Sequence, residues 1–232
     1  MIWISGIVLG HAQVGQRTYW SADGNASIRV VDGAIVEESL TGEQRTVLVS
    51  HADLTPVGQS KPLDVRRFAL SDDRNQILIN TNTRRVWRYD TRGDYWVFDR
   101  KAKTLKQLGK SLPEASLMYA KFSPDGTKAA YVSGHNLYVE DLATGQIMPL
   151  TTDGADRIIH GTFDWAYEEE FGCRDGFRWS PDSRKIAYWT IDARSIRNFL
   201  MINNTDSTYA FTIPVEYPKV GQDPSAAYIS VV

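Results

Sequence analysis

Residues 122–133 have the sequence Phe-Ser-Pro-Asp-Gly-Thr-Lys-Ala-Ala-Tyr-Val-Ser, a polar turn that leads directly into an apolar run. The turn combines a large apolar residue, a serine, one variable residue and an aspartate. Clusters of Ser, Pro, Asp and Gly are typical of tight turns, and a short apolar run bounded by them predicts a strand. One such unit does not define a fold, so its recurrence along the chain is the decisive observation.

The turn pattern occurs four times, with its serines at positions 21, 71, 123 and 180. The serines are therefore 50, 52 and 57 residues apart (71−21, 123−71, 180−123). A loose period of about 50 residues is typical of a propeller or solenoid array. We expect the aspartates of the pattern to occupy equivalent turns and to accept backbone N–H groups, as in Asx turns. These aspartates are Asp23, Asp73, Asp125 and Asp182.

Further short strands are predicted between the turns. Strands rich in β-branched and aromatic residues fall at 34–37, 95–99 and 137–141, and after each a polar turn leads to a last short strand, at 46–49, 104–108 and 147–150. Several short strands per repeat predict an all-β fold, a β-propeller of four-stranded antiparallel blades with about four blades present. A solenoid is the weaker alternative, because its repeats are usually shorter. The fourth repeat loses its pattern after Trp189, and residues 227–232 are predicted to form a strand with no turn after it.

The composition excludes several classes of function. The 232-residue chain has a net charge of −2 and no basic run, which argues against a nucleic acid partner. Its one cysteine, Cys173, excludes an internal disulfide and is interpreted as structural rather than as a thiol nucleophile. Residues 2–9 are apolar and precede Gly-His-Ala, so residues 1–12 are interpreted as the remnant of an export signal, with a plain first strand as the alternative. We therefore expect an exported protein, periplasmic or extracellular.

Residues 164–171, Asp-Trp-Ala-Tyr-Glu-Glu-Glu-Phe, carry the first candidate site. Neighbouring side chains on a strand point to opposite faces, whereas in a helical turn they diverge by only about 100°, so a short helix could direct two of the glutamates at one target. Two carboxylates held close together repel each other unless a compact cation binds them. The alternative is a solvated acidic turn between strands.

This segment and residues 174–182, Arg-Asp-Gly-Phe-Arg-Trp-Ser-Pro-Asp, closely resemble the N-terminal propeller of the dipeptidyl peptidase IV family of serine peptidases. The resemblance implies a short helix that projects toward an active site. It also implies that the last two glutamates, Glu169 and Glu170, bind the free α-amino group of a peptide substrate. Ala166 stands where better-known relatives have Val, a difference that leaves the carboxylates untouched. Family propellers have eight blades, about twice the number predicted here.

Residues 83–88, Thr-Arg-Arg-Val-Trp-Arg, carry the second candidate site. The resemblance implies that Arg88 hydrogen-bonds the backbone carbonyl of the substrate and braces the glutamates. A guanidinium is suited to this because it can bond a carboxylate and still offer a donor to a carbonyl. Considered alone, a Trp-Arg pair would more often be a surface cation–π contact.

Catalytic and metal-binding motifs are missing from the sequence. It has no Gly-x-Ser-x-Gly motif, its four histidines have no triad-like context, and it has neither His-Glu-x-x-His nor paired Cys-x-x-Cys. No metal or cofactor is therefore expected. In the family the catalytic Ser, Asp and His belong to an α/β-hydrolase domain that follows the propeller. We expect residues 13–232 to form a partial propeller without that domain, and to cleave nothing alone.

The leading hypothesis is the substrate-anchoring part of a serine-type exopeptidase that releases dipeptides with Pro or Ala in second position. Its partners would be a peptide N-terminus and the missing C-terminal hydrolase domain, with a homodimer as an option for the full-length form. The alternative is a stand-alone propeller that binds or scaffolds without catalysis. A glycosidase ranks third, because its two acids normally come from separate segments.

Overall fold

The computed structural model describes residues 18–232, which form eighteen strands and one six-residue helix. The predicted all-β class is confirmed. The chain divides into two compact units, one ending at Phe68 and the other spanning Ala69–Val232. The described part of the chain contains no helix long and apolar enough to cross a membrane. The predicted export-signal remnant, residues 1–12, lies outside the described residues.

The first unit contains one four-stranded antiparallel sheet in sequential order. Its strands are β1 (Tyr19–Trp20), β2 (Ala26–Val31), β3 (Ala34–Ser39) and β4 (Arg45–Val49). Asp32 and Gly33 join β2 to β3 in a two-residue turn, both with positive φ (49° and 81°), as tight hairpins with the right-handed strand twist require. Ile35, Val36 and Val49 are fully buried and supply the apolar face of this sheet.

The second unit begins within β5 and contains three further blades of four antiparallel strands, the first two of which are regular. The first consists of β5 (Arg67–Leu70), β6 (Gln76–Val86), β7 (Tyr89–Asp99) and β8 (Thr104–Gln107). The next consists of β9 (Leu117–Phe122), β10 (Lys128–Ser133), β11 (Asn136–Asp141) and β12 (Ile147–Pro149). A short antiparallel pairing between β7 and β9 connects the two blades. The predicted blade pattern is therefore confirmed in both.

The four Ser-x-Asp turns have the same hydrogen bonds, as the repeat predicts. In the third, the Ser123 hydroxyl donates to Asp125 at 2.6 Å and accepts from the Lys128 N–H at 3.0 Å, while Asp125 accepts from the Thr127 N–H at 3.0 Å. The corresponding bonds occur at Asp23, Asp73 and Asp182. These bonds, led by that from the serine hydroxyl, lower the pKa of each aspartate.

The residue after each of these aspartates has positive φ. It is Gly24 or Gly126 in two turns, at 75° and 69°, and Arg74 or Ser183 in the others, at 58° and 61°. Glycine adopts this region without steric cost, whereas the other two residues do not. At Ser183 the side chain compensates, because its hydroxyl accepts the Asp125 N–H at 2.9 Å and so links two of the turns.

Apolar side chains fill the spaces between successive blades of the second unit. Tyr131, Leu78 and Leu117 belong to a cluster between the first two blades. Leu137, Phe177 and Ile186 belong to a second cluster that reaches the next sheet. The sheet β9–β12 therefore contributes both of its faces to the core, since Ala129 and Tyr131 of β10 belong to the first cluster and Ala130 and Val132 to the second.

The last blade contains an inserted hairpin that sequence analysis did not predict. Its sheet consists of β13 (Ile158–His160), β14 (Phe177–Trp179), β15 (Ile186–Asp192) and β18 (Ala226–Val231). Between β15 and β18 the chain forms a separate two-stranded hairpin, β16 (Asn198–Asn203) with β17 (Phe211–Glu216). Strand β18 then returns to pair with β15. The loss of pattern after Trp189 therefore marks an insertion within the blade.

Candidate functional site

The acidic segment forms the predicted short helix, α1 (Trp165–Glu170). Asp164 caps it by accepting the Tyr167 N–H at 3.0 Å, and its other oxygen accepts the hydroxyl proton of Ser225. The Tyr167 hydroxyl donates to the Ser225 carbonyl at 3.1 Å. Two contacts to the residue that precedes β18 therefore hold the helix in place. Asp164 is 4% exposed, so its role is structural.

The three glutamates of α1 have different environments. Glu168 is buried, the Glu169 side chain is 6% exposed, and Glu170 is exposed at the end of the helix. This gradation follows from helical geometry, because successive side chains are rotated by about 100° around the axis. The helix therefore presents Glu169 and Glu170 with unequal access to solvent and directs Glu168 inward.

Arg88 reaches the helix from the turn between β6 and β7. Trp87 and Arg88 form that turn, since Val86 pairs with Tyr89. The Arg88 Nε lies 2.5 Å from Oε2 of Glu169, and the arginine side chain is 76% exposed. The structure thus brings two of the three predicted site residues, Arg88 and Glu169, into direct contact. Glu170 remains at the solvent side of the helix.

The second oxygen of Glu169 is free to accept a hydrogen bond. Its Oε1 is buried and has no hydrogen-bond partner among residues 18–232. Buried polar atoms are normally paired, and an unpaired one requires an explanation such as a ligand or an ordered water. The arrangement therefore combines a carboxylate oriented by a guanidinium with one unused acceptor atom. Chemically, this is a site for a donor such as an ammonium group.

Glu168 is a buried acid to which sequence analysis assigned no role. Burial raises its pKa to about 7, with a further increase from the charges of Glu169 and Asp164 and an opposing effect of Arg174. Its Oε2 has no hydrogen-bond partner among the described residues. The inward-facing carboxyl of Glu168 is therefore mostly neutral in weakly acidic solution and becomes charged near neutral pH.

A strained bulge lies near Glu168. Tyr119 has a φ of 54° where the register between β9 and β10 shifts, so an extra residue interrupts the pairing. Burial and the charge on Glu168 raise the pKa of the Tyr119 phenol. The buried Thr91 hydroxyl lies beside the Tyr119 phenol, and its hydrogen bond to the phenol opposes this rise in pKa. The polar cluster of Glu168, Tyr119 and Thr91 was not predicted, because its members lie on helix α1 and on strands β9 and β7, which are far apart in the sequence.

Arg174 supports the carboxyl end of the helix. Its Nη2 donates to the Glu168 carbonyl at 2.9 Å, and its guanidinium lies 4.2 Å from the centroid of the Tyr89 ring. A cation at this end of a helix interacts favourably with the last carbonyls. Because Tyr89 directly follows Arg88, Arg174 also holds the turn close to the helix. The sequence motif included Arg174, but nothing in the motif indicated this contact.

An aromatic pocket borders the same helix. It has a volume of about 350 Å³ and is lined by Trp87, Trp165, Phe199, Met201, Val215 and Tyr217. The rings of Trp165 and Tyr217 are 4.7 Å apart between centroids. The inserted hairpin β16–β17 contributes Phe199, Met201 and Val215. The pocket therefore exists only because the hairpin folds back against α1 and the Trp87 turn.

One histidine has partners that the sequence did not predict. The His160 Nδ1 lies 2.9 Å from the Thr190 hydroxyl, and Nε2 lies 3.0 Å from Asp153. The chain of three groups resembles a triad in composition, but His160 is 5% exposed and pairs with Thr190 across β13 and β15. Its role is to tie strands together. In residues 18–232 no three His, Cys, Asp or Glu side chains are grouped to hold a metal ion.

Comparison with known proteins gives a consistent result. The family model described as dipeptidyl peptidase IV (DPP IV) N-terminal region matches residues 71–232. The probable dipeptidyl peptidase 4 of Aspergillus flavus is 29% identical over 238 residues, which cover 99% of this chain and 28% of that protein. Dipeptidyl aminopeptidase B of Saccharomyces cerevisiae is 29% identical over 195 residues, 82% of this chain and 23% of that protein.

The fold comparison agrees with the blade architecture. The crystal structure of Porphyromonas gingivalis dipeptidyl peptidase 4 superimposes with a TM-score of 0.81 and 24% identity, covering 94% of this chain and 31% of that one. At this identity the likeness establishes the fold alone. The present chain thus spans less than a third of the length of these relatives.

Proposed function

This chain belongs to the family of dipeptidyl peptidase IV N-terminal regions, and from that premise we propose that it anchors the substrate of a serine-type dipeptidyl peptidase. The whole enzyme releases dipeptides from free peptide N-termini, with Pro or Ala favoured in second position. Catalysis itself requires a hydrolase domain that supplies the catalytic Ser, Asp and His. The propeller portion binds the amino terminus of the peptide and positions the peptide for cleavage by that domain.

Each proposed site residue has a separate role. Glu169 and Glu170 bind the α-ammonium group, and Arg88 donates to the first backbone carbonyl while it orients Glu169. Holding both groups fixes the distance from the amino terminus to the bond that is cleaved, so only two residues fit. Positioning of this kind lowers the barrier by several kcal/mol, because the ordering of the substrate precedes the reaction.

The Arg88–Glu169 pair is the observation that carries the proposal. The Arg88 guanidinium contacts Oε2 of Glu169, while Oε1 is buried and has no hydrogen-bond partner in the part of the chain that the structure describes. A lone carboxylate oxygen in a partly dry site is costly unless a donor reaches it. An α-ammonium group, with a pKa of about 8, is mostly protonated at neutral pH and supplies such a donor together with a full positive charge.

The test compares a free dipeptide amide with its N-acetylated form in the full-length protein. Acetylation removes the positive charge, so the free form should be cleaved and the acetylated form should not. Glu169→Gln should lower kcat/KM for the free form by about one to two orders of magnitude, since it weakens a charge-assisted bond. Glu43→Gln, an exposed glutamate of the first unit, is the matched control and should leave kcat/KM unchanged.

Equal cleavage of both substrates would overturn the proposal. Binding of the free amine without any hydrolysis would instead support the alternative, a propeller that recognises N-termini as a binding module. Thermal melting of Glu169→Gln should match the parent, which would exclude unfolding as the cause of lost activity.

A further inference from the structure

Glu168 is a buried carboxyl next to the proposed amine site. It directly precedes Glu169 on helix α1, and consecutive residues rise by only about 1.5 Å along a helix axis. Glu168 is 2% exposed, so a ligand in solvent does not contact it. Its Oε2, like Oε1 of Glu169, is buried and has no hydrogen-bond partner within residues 18–232. Two unsatisfied acceptors of neighbouring carboxyl groups therefore lie within one turn of the helix.

Arg174 links Glu168 to the Arg88 turn. Its Nη2 donates to the Glu168 carbonyl at 2.9 Å, while its Nε is buried without a hydrogen-bond partner in the part of the chain that the structure describes. The Arg174 guanidinium lies 4.2 Å from the centroid of the Tyr89 ring. Tyr89 follows Arg88, whose Nε contacts Glu169. These contacts therefore join Glu168 to the ion pair of the amine site.

Charged groups on several elements act on Glu168 in opposite directions. The acids Asp164 and Glu169 favour its neutral form, whereas Arg174 on the following loop and Arg92 on β7 favour its charged form. The Tyr119 phenol on β9 also lies near it. Burial is the largest influence, and together these effects raise the pKa of Glu168 to about 7. A positive charge added at Glu169 shifts Glu168 toward its ionised form, because a nearby opposite charge stabilises a carboxylate.

We propose that Glu168 is a positioning residue of the amine site, whose negative charge strengthens the binding of an N-terminal ammonium group at Glu169 and which releases its proton when that group binds. This inference rests on the proposed function of Glu169. The O–H bond of the Glu168 carboxyl breaks, the proton passes to the buffer, and the electron pair stays on the carboxylate. The charge of the bound ammonium group then compensates the new negative charge.

The coupling between the two events is reciprocal. If ionised Glu168 makes ammonium binding tenfold tighter, the bound ammonium makes the affinity of Glu168 for its proton tenfold weaker. At pH 6.5 this corresponds to the release of about half a proton from Glu168 for each ammonium group that binds. In more acidic solution Glu168 is neutral in both states, so its contribution to binding is lost.

The first test measures binding between pH 5.5 and pH 7.5. The probe is alanine pyrrolidide, which carries a free ammonium group but no carbonyl after its ring and so is not cleaved there. Dissociation constants of the full-length protein and of Glu168→Gln, which resembles the neutral acid in shape, are measured by calorimetry. The variant should bind the probe about five- to tenfold more weakly than the parent at pH 7.5 and nearly equally at pH 5.5. Titration of the probe itself affects both proteins alike.

The second test measures the released proton. Calorimetry at pH 6.5 in phosphate and in imidazole, two buffers with different heats of ionisation, gives the number of protons released on binding. The parent should release about half a proton more than Glu168→Gln. Glu43→Gln removes the same charge at an exposed position of the first unit and should match the parent in both tests.

A parent-to-variant ratio that stays constant from pH 5.5 to pH 7.5, whether it is one or larger, would overturn the inference, because a merely structural role of Glu168 does not change with pH. Equal proton release by the two proteins would overturn it as well. N-acetyl-alanine pyrrolidide separates the two proposals. If this probe binds as tightly as the free amine, the proposed amine site itself fails. If acetylation abolishes binding while the ratio is constant, only the role of Glu168 fails.

Discussion

A single residue, the buried acid Glu168, makes the stability of the fold depend on pH. Its pKa rises from an ordinary 4.5 to about 7, mainly because burial disfavours the charged form. A carboxyl with a raised pKa in the folded state stabilises the fold below its unfolded pKa, and this contribution is lost as pH rises through the folded pKa. The affected window is therefore about pH 4.5 to 7.

We predict that Glu168→Gln removes this dependence. The parent protein should lose about 1–3 kcal/mol of unfolding free energy between pH 5 and pH 8 from this residue, whereas the variant should not. Urea unfolding at several pH values measures the difference. Glu170→Gln, at an exposed position on the same helix, should follow the parent curve. Parallel curves for the parent and Glu168→Gln would contradict the prediction.

At the scale of the element, the Ser-x-Asp turn connects two neighbouring strands in each blade. Ser123 is 1% exposed, and its hydroxyl both donates to Asp125 and accepts from the Lys128 N–H. Removing the hydroxyl leaves a backbone donor without its partner at the start of β10. It also removes the largest cause of the lowered pKa of Asp125.

Ser123→Ala should therefore lower the unfolding free energy by about 1–3 kcal/mol, the usual cost of leaving a buried polar group unpaired. The pH dependence should change as well. A lowered carboxyl pKa contributes stability above the unfolded value of 3.8, which is lost as pH falls through the folded pKa, so the variant should lose less stability in acid. Ser207→Ala, at an exposed position, is the control. Equal stability of both variants would rule out the assigned role of the turn.

At the scale of the whole molecule, two groups of neighbouring apolar side chains are exposed, on β18 and on the hairpin β16–β17. Strand β18 exposes Tyr228, Ile229 and Val231 at 56%, 64% and 63%. The hairpin β16–β17 exposes others, including Ile202 at 75%. Contiguous exposed apolar surface and an apolar edge strand favour association.

We predict that the 232-residue chain expressed alone self-associates at micromolar concentration. Sedimentation velocity should show species larger than a monomer, and the double variant Ile229→Lys, Val231→Lys should shift the distribution toward the monomer. Val57→Lys, which changes an isolated exposed side chain at 105% relative exposure, should have no effect. A single monomeric species for the parent chain would contradict this prediction.

Features that depend on nearby residues were predictable from the sequence. The Ser-x-Asp turns recur because all their hydrogen bonds fall within a few positions, so the residues that make them must be adjacent in sequence. The same holds for α1, where Asp164 caps a helix only three residues ahead of the N–H it accepts. The turn period of about 50 residues and runs of β-branched and aromatic residues were sufficient to predict strands and blades. The roles of Glu169, Glu170 and Arg88 remain predictions that came from a family resemblance.

Only the tertiary structure decided which distant residues meet. Arg88 contacts Glu169 because a hairpin turn and a helix from different blades converge, and no local pattern encodes that distance. The inward orientation of Glu168, the bulge at Tyr119 and the return of β18 to β15 have the same origin. Local hydrogen bonds determine turns and helix ends, whereas burial, pKa shifts and pockets depend on packing between segments that are far apart in the chain.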